Sequence, residues 1–435
     1  MTPFDIGLIA LVVLVVSVMA GLLVPVALMA CSFAGVWAIK GSPELAAKLM
    51  ALAASDTIAS YFFGVVPLFV LMGFLVSESG MGRDAFDVAN HAFRRIKGGL
   101  GVGTVGANAI FAAITGISIA SAAVFTKIAV PQMVRNGYAP RFATGVVAGS
   151  SVLGMLIPPS LLLILYGILT EQSIGDLFIA GILPGLLLGL VFGLGIVAVA
   201  AFAPKALGSP TVPEDGDLTQ RDILAKGLPI VTLIVLVLGG IYGGIFTPVE
   251  AGAMGAIGAL VLGLLKGTLG LRAIGRVLIE TGLVTASICF LIIAAQMYSR
   301  MLSFSGLPAG FGSLVADAEL GLMAVLTLYI AVVIAMGMIL DSSSIMLILV
   351  PLMLPVMTGF GVDLVWFGII TVIAVEIGLL TPPFGISVYV IKSTLDDPTV
   401  SLADIFIGAA PFALAMLGVL VLVIAFPVIA TGLVP

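Results

Sequence analysis

Apolar positions run through this chain in long unbroken stretches, and the polar residues fall between those stretches instead of alternating with them. Continuous runs of this kind suit helices crossing about 30 Å of hydrocarbon and do not fit the alternating strands of a membrane barrel. The pattern predicts spans over residues 4–23, onward to 39, over 62–76 and over 176–203. Residues 41–60, which carry Glu44, Lys48 and Asp56, read as interfacial. Between 82 and 97, Phe86, Ala89, Phe93 and Ile96 recur at helical spacing while Arg83, Arg94, Arg95 and Lys97 lie off that stripe. A helix of that pattern lies along the membrane surface, so this stretch is an arm and not a crossing.

Two further stretches are apolar but interrupted. Residues 98–135 are cut by glycine and hydroxyls at Gly116, Ser118 and Ser121, which predicts a re-entrant hairpin with its tip there. Residues 142–170 hold Gly149, Ser150 and Ser151 and then Pro158-Pro159. Proline lacks the backbone donor and clashes with the preceding turn, so a helix broken at mid-depth is expected, with carbonyls that lose their helical partners. Residues 204–222, with Pro204, Pro210, Pro213, Glu214, Asp215 and Asp217, read as a solvent-exposed cytoplasmic linker.

The second half repeats the first in order, with an offset between 220 residues (Pro131 to Pro351) and 228 (Asp176 to Asp404). Gly21 and Pro25 match Gly244 and Pro248, and Ser79-Gly80 matches Ser305-Gly306. Gly116 and Ser121 match Gly337 and Ser342, and Pro158-Pro159 matches Pro382-Pro383. Residues 1–203 and 223–435 therefore form two repeats. The second has its arm at 306–319, its hairpin at 320–357 and its broken helix at 363–392.

Composition narrows the class. Of 435 residues, 61% are hydrophobic and 9% charged, which a water-soluble domain could not carry without large exposed apolar patches. The fold class is an all-α polytopic membrane protein. Cys31 and Cys289 lie in apolar stretches, one per half, and His91 is the only histidine, so neither a disulfide nor a Cys or His metal site is indicated. No phosphate-binding glycine loop, nucleophile elbow or metal-ligand spacing occurs, and nothing points to nucleic acid. The chain is no enzyme by these signs, needs no cofactor, and must be driven by an ion gradient.

Charge placement sets the orientation. If the first arm is cytoplasmic, each half crosses an odd number of times, so the second repeat is inverted relative to the first. Thirteen Lys and Arg, from Arg83 to Lys392, then face the cytoplasm, against three outside: Lys40, Lys48 and Arg300. That asymmetry follows the positive-inside rule and puts both termini in the periplasm.

Two hairpin tips, one from each face, would then meet two helix breaks near the bilayer centre. Helix N-termini there suit a carboxylate, while carbonyls and hydroxyls suit a hard cation such as Na⁺. The cation candidates are Gly116, Ser118, Ser121, Gly149, Ser150, Ser151 and Pro158 in the first half, and Gly337, Asp341, Ser342, Gly378, Thr381 and Pro382 in the second. Substrate candidates are Ser118, Ser151, Asp341, Ser342, Glu376 and Thr381. Asp341 and Glu376 are acids in otherwise apolar runs, where an unpaired charge is costly and demands a reason. Intramembrane serines also bond to their own preceding turn, so each hydroxyl carries that alternative. Glu250, close behind Pro248, reads as a helix-start acid.

These residues form a pattern seen elsewhere. Gly98-Gly99 through Gly116 to Ser121, Gly149 to Ser151 with Ile157 to Ser160, Thr247 to Ala251, Asp341 to Ser343 and the run Glu376 to Gly385 together resemble the large membrane subunit of tripartite ATP-independent periplasmic (TRAP) transporters. The resemblance spans nearly the whole chain. It implies a Na⁺-coupled importer of organic acids, such as C4-dicarboxylates, sialic acid or 2-keto acids, in the bacterial inner membrane. It also implies two partners: an extracytoplasmic solute-binding protein that delivers cargo, and a small four-helix membrane subunit on a separate chain, since the pattern begins at the start of this one. The family is similar in fold to elevator-type carriers, with the hairpins and broken helices as transport domain inside a scaffold. A stand-alone cation-coupled carboxylate carrier or antiporter of the same design is the alternative.

Overall fold

The computed structural model describes residues 1–208, 218–395 and 397–434. Apart from one isolated bridge between Tyr138 and Gly208, the regular structure of the described residues is helical. Seven helices among them are long and apolar enough to cross a membrane, or eight if one bent pair is counted as a span.

Local chemistry sets the helix ends. Helix α1 (Pro3–Met19) opens on a reciprocal cap between Thr2 and Asp5, with proline at its first position, where the missing N–H costs nothing. Next come α2 (Val24–Lys40), closed by left-handed Gly41, and α3 (Pro43–Ala59), capped by Ser42. The stretch at 41–60 is thus a full helix, packed on α2. A single 3₁₀ turn leads into α4 (Val65–Glu78), and α5 (Met81–Phe93) leaves it at 66°.

The Ser-Gly pair at this bend explains the match seen in sequence. Ser79 donates its hydroxyl to Val76 O at 2.8 Å, taking up one carbonyl left over at a helix end, and Gly80 adopts φ 76°. Ser305 does the same to Leu302 O at 2.7 Å, followed by Gly306 at φ 67°. Only glycine adopts that backbone without strain, so each arm starts at a built corner.

The arm α5 is tied down by acids: Asp84 pairs with Lys266, Asp87 with Lys226, and Glu78 at the end of α4 with Arg276.

The first hairpin is α6 (Gly99–Thr115) and α7 (Ser118–Arg135), joined by two residues and packed against each other. The first interrupted helix follows as α8 (Pro140–Ser151), a single turn α9 (Leu153–Leu156), and α10 (Leu161–Thr170). Helix α11 (Ile174–Phe202) is a 29-residue span, capped by Ser173. A short α12 (Pro204–Leu207) then buries Leu207 and gives its carbonyl to Ala139 N at 2.7 Å. The expected exposed linker is therefore docked at its start. Its centre, 209–217, lies outside the described residues.

The second half begins with α13 (Gln220–Ile234), capped by Thr219 and Asp222, which runs through a π-helical stretch into α14 (Gly240–Tyr242) as one 23-residue span. Thr247 and Glu250 cap α15 (Pro248–Leu265) reciprocally, which is the helix-start role expected of Glu250. The 35-residue α16 (Leu271–Ser305) and the arm α17 (Leu307–Asp317) follow. The second hairpin is α18 (Leu322–Gly337) and α19 (Ser342–Gly359), and the second interrupted helix is α20 (Leu364–Leu380) and α21 (Ile386–Thr394). The span α22 (Leu402–Ala425) and the turn α23 (Val428–Thr431) end the chain.

Two groups of helices emerge from the packing. Helices α1 to α4, α15 and α16 pack on one another, while α6 to α11 pack with α18 to α22. Within the second group the backbones come close. An added Cβ on Gly145 would lie 2.2 Å from Gly408 O, so α8 and α22 cross at two glycines. Trp366 donates its indole N–H to Val423 O at 2.8 Å, fixing α20 to α22.

Candidate functional site

Each hairpin tip is joined to an interrupted helix by a main-chain hydrogen bond. Gly116 O accepts from Leu161 N at 3.1 Å in the first half, and Met338 O accepts from Gly385 N at 3.2 Å in the second. The breaks thus contribute amides, not carbonyls, to these ties, while Met155 O at the first break accepts from the Ser160 hydroxyl. Glycine is required at both places. Gly116 has φ 64° and any Cβ there would meet Pro159 O at 2.3 Å, while Gly385 has φ 53°. The Pro158-Pro159 and Pro382-Pro383 bonds beside them are both cis.

A glycine four residues before each proline pair lets the hairpin approach. A Cβ on Gly154 would lie 3.1 Å from Ser118 N, and one on Gly378 would lie 2.6 Å from the Cα of Gly337. Gly337 and Gly378 therefore let α18 and α20 cross in contact.

Counted from helix starts, Ser342 stands where Ser118 stands: each is the first residue of its hairpin's second arm. This corrects the pairing of Ser342 with Ser121 read from the sequence offset. Both first residues point to one acid. Ser342 donates its hydroxyl to Glu376 Oε1 at 3.1 Å, and Ser118 stands beside the same carboxyl. Glu376 is 1% exposed. Among the described residues its Oε2 has no hydrogen-bond partner, nor have the buried hydroxyls of Ser118 and Ser121. The first-half position matching Glu376, six residues before its proline pair, is Val152, so the acid is present once.

The other candidates take more local roles. Asp341 caps α19, accepting from Ser344 N at 3.1 Å and from the Ser344 hydroxyl. Ser150 donates to Val146 O at 2.6 Å and Ser151 to Ala148 O at 2.9 Å, both within their own helix, and Thr381 donates to Ile377 O. These three hydroxyls satisfy carbonyls one turn back, as helical Ser and Thr do in an apolar setting. Gly149 has a packing reason for its size, since a Cβ there would strike the Phe412 ring at 2.2 Å. Pro158 and Pro382 shape the breaks.

Sequence reading missed Asn108. It lies in the middle of α6, fully buried, donating Nδ2 to Ser150 Oγ at 2.6 Å while its Oδ1 has no partner. Ser387 on α21 is likewise buried with an unpartnered hydroxyl. One asparagine in a run of Gly, Ala and Val was the only signal for the first, and no charge marks the second.

The two junctions differ in access. The first, at Gly116 and Pro159, is closed over by Phe69 and Val70 of α4 and holds no room for water. The second opens on a pocket of about 390 Å³ lined by Ile339, Phe384 and Tyr389.

Long apolar helices, with two hairpins folded onto two interrupted helices, define a polytopic membrane protein whose fold is shared by solved transporters. The Alcanivorax borkumensis YdaH transporter matches with a TM-score of 0.64 at 15% identity, over 86% of this chain and 88% of that one. A second structure, Neisseria gonorrhoeae MtrF, described as illuminating a class of antimetabolite efflux pumps, matches with a TM-score of 0.59 at 12% identity, over 86% and 83%. Sequence carries the identification further. Residues 11–429 match the profile of the tripartite ATP-independent periplasmic transporter, DctM component, and the chain belongs to that family. It is 36% identical to the C4-dicarboxylate TRAP transporter large permease protein of Pseudomonas aeruginosa, over 90% of each chain. The sialic acid TRAP large permease of Vibrio cholerae is 31% identical over 83% of each, and the ectoine/5-hydroxyectoine permease of Ruegeria pomeroyi 32% over 84% of each.

Proposed function

We propose that this TRAP large permease imports an organic acid by Na⁺ symport, with the hairpins and interrupted helices as the moving body of an elevator and α1 to α4, α15 and α16 as its frame. The two halves act as inverted repeats, with the first hairpin entered from the cytoplasm, the second from the periplasm, and both termini periplasmic. The relatives' named cargoes, a dicarboxylate and sialic acid among them, support this cargo class.

The observation that carries this reading is the convergence of two second-arm starts, Ser118 and Ser342, on Glu376, with three buried oxygens left without partners. Unpartnered buried oxygens are rare and costly, and hard oxygen donors suit Na⁺. The N-termini of α7 and α19 bring positive dipole ends to the same place, which suits a carboxylate. Ser121 and the main chain at Gly116 and Gly337 complete the candidate donor set in this reading. A separate small membrane subunit braces the frame, and an extracytoplasmic binding protein delivers the cargo.

The test is uptake into proteoliposomes holding this chain with its small subunit, with succinate or N-acetylneuraminate offered on the cognate binding protein. Accumulation should require an inward Na⁺ gradient and both partners. Equal uptake in choline buffer would overturn the symport, and equal uptake without the binding protein would point to a stand-alone carrier.

A further inference from the structure

Away from the junctions, a polar cavity of about 620 Å³ opens between α3, α16 and the connection from α10 to α11. We propose that it is a second carboxylate site, where cargo first docks before reaching the hairpins, and that Arg300 is its anion-binding residue. The inference rests on the import of organic acids proposed above and on the orientation proposed with it, which makes this face periplasmic.

The frame builds one wall by helical spacing. Ile292, Gln296 and Arg300 recur every four residues, so they share one face of α16 and all line the cavity. The Arg300 guanidinium donates Nη2 to Asp56 Oδ2 at 2.6 Å, its one ion pair among the described residues. A guanidinium has five N–H donors in a planar fork, so one bond to Asp56 leaves an edge for a second carboxylate. Asp56 is more than half exposed. Such exposed pairs are weak, so an incoming carboxylate can share or displace Asp56 at little cost. Gln296, one turn before Arg300, adds an amide donor. Arginine suits this role better than lysine, since its planar fork matches two carboxylate oxygens at once.

The opposite wall belongs to the end of the first interrupted helix, where Glu171 caps α10 in the left-handed conformation at φ 56°. With Asp56 and Glu171 against a single Arg300, the cavity is not a general anion trap. It suits a molecule with one carboxylate toward Arg300 and hydrogen-bond donors, such as hydroxyls, toward Glu171. A second carboxylate at that end would meet Glu171 and be repelled. The ligand class is therefore a hydroxylated monocarboxylate in preference to a dicarboxylate. Because the two walls come from different helix groups, a bound ligand would also bridge them.

The experiment is a binding titration of the purified full chain in nanodiscs, without Na⁺, using gluconate and succinate as probes. Gluconate should bind wild type more tightly than succinate. Arg300→Gln should weaken gluconate at least tenfold, Arg300→Lys should weaken it less, and Glu171→Gln should narrow the gap by improving succinate. Asp56→Asn should tighten gluconate, and this holds even if Arg300→Gln fails to fold. Equal gluconate affinity in wild type and Arg300→Gln, no binding of either probe to wild type, or a tighter succinate would each overturn the proposal. Since the titration omits Na⁺, a failure of Na⁺ coupling in the uptake assay leaves it untouched.

Discussion

Glu376 concentrates the residue-scale question, because a buried carboxyl with one hydroxyl donor and one bare oxygen is expensive unless something else completes it. Glu376→Gln keeps the size of the side chain and the acceptor for Ser342. We expect it to insert and fold normally, and to lose at least tenfold in Na⁺-driven uptake rate in proteoliposomes; an unchanged rate would remove Glu376 from the site. Asp341 needs a paired test, since it also caps α19. Asn caps as well as Asp, whereas Ala loses about 1 kcal/mol of helix stability. Asp341→Asn should therefore keep the wild-type melting temperature with impaired uptake, while Asp341→Ala should lower both. Ser150→Ala has a different expectation. Its hydroxyl is the acceptor for buried Asn108, so removing it strands a donor at about 1–3 kcal/mol, visible as a lower melting temperature. The acids were legible in sequence because charge stands out in an apolar run. Asn108 was not, because its importance arises only where α6 packs on α8, and sequence cannot show that the Ser150 and Ser151 hydroxyls donate back to their own helix.

At the scale of elements, glycine and proline made the breaks readable, and their positions agree with the helix ends at Thr115, Gly337, Leu156 and Leu380. Pairing between the halves was harder to read. The first tip has two linking residues and the second has four, so a constant offset slips by a turn and matches Ser342 to the wrong serine. Gly116→Ala should be damaging at that tip. The left-handed backbone alone costs about 1–2 kcal/mol with a side chain present, and the contact with Pro159 O adds to it. Thermal unfolding in detergent should show a clear drop, with the same substitution at Gly282, where a Cβ meets nothing, as the silent comparison. The arm α5 makes the opposite case. Sequence drew attention to its basic residues, yet Asp84 and Asp87 pair with Lys266 and Lys226, which sit more than a hundred residues away and could not be foreseen.

For the whole molecule, the expected arrangement can be checked without transport. Both cysteines are buried, which lowers background labelling. A cysteine at Gly432 should react with a membrane-impermeant maleimide in intact cells, and one at Lys97 only after permeabilisation. The reverse result would turn the proposed orientation over. Membrane class was readable from the length of apolar runs, a property of single segments. Which segments gather around Glu376, and that the first junction is shut beneath α4 while the second stands open, depend on contacts across the chain.

The links between tip and break at Gly116 with Leu161 and at Met338 with Gly385 involve amide and carbonyl only. A latch made of peptide groups fixes side chains only at its glycines, so a residue such as Leu161 can drift through mutation without unfastening it. Cargo preference in such a carrier is thus free to evolve by exchanging lining side chains, while the fastening they hang from is inherited unchanged.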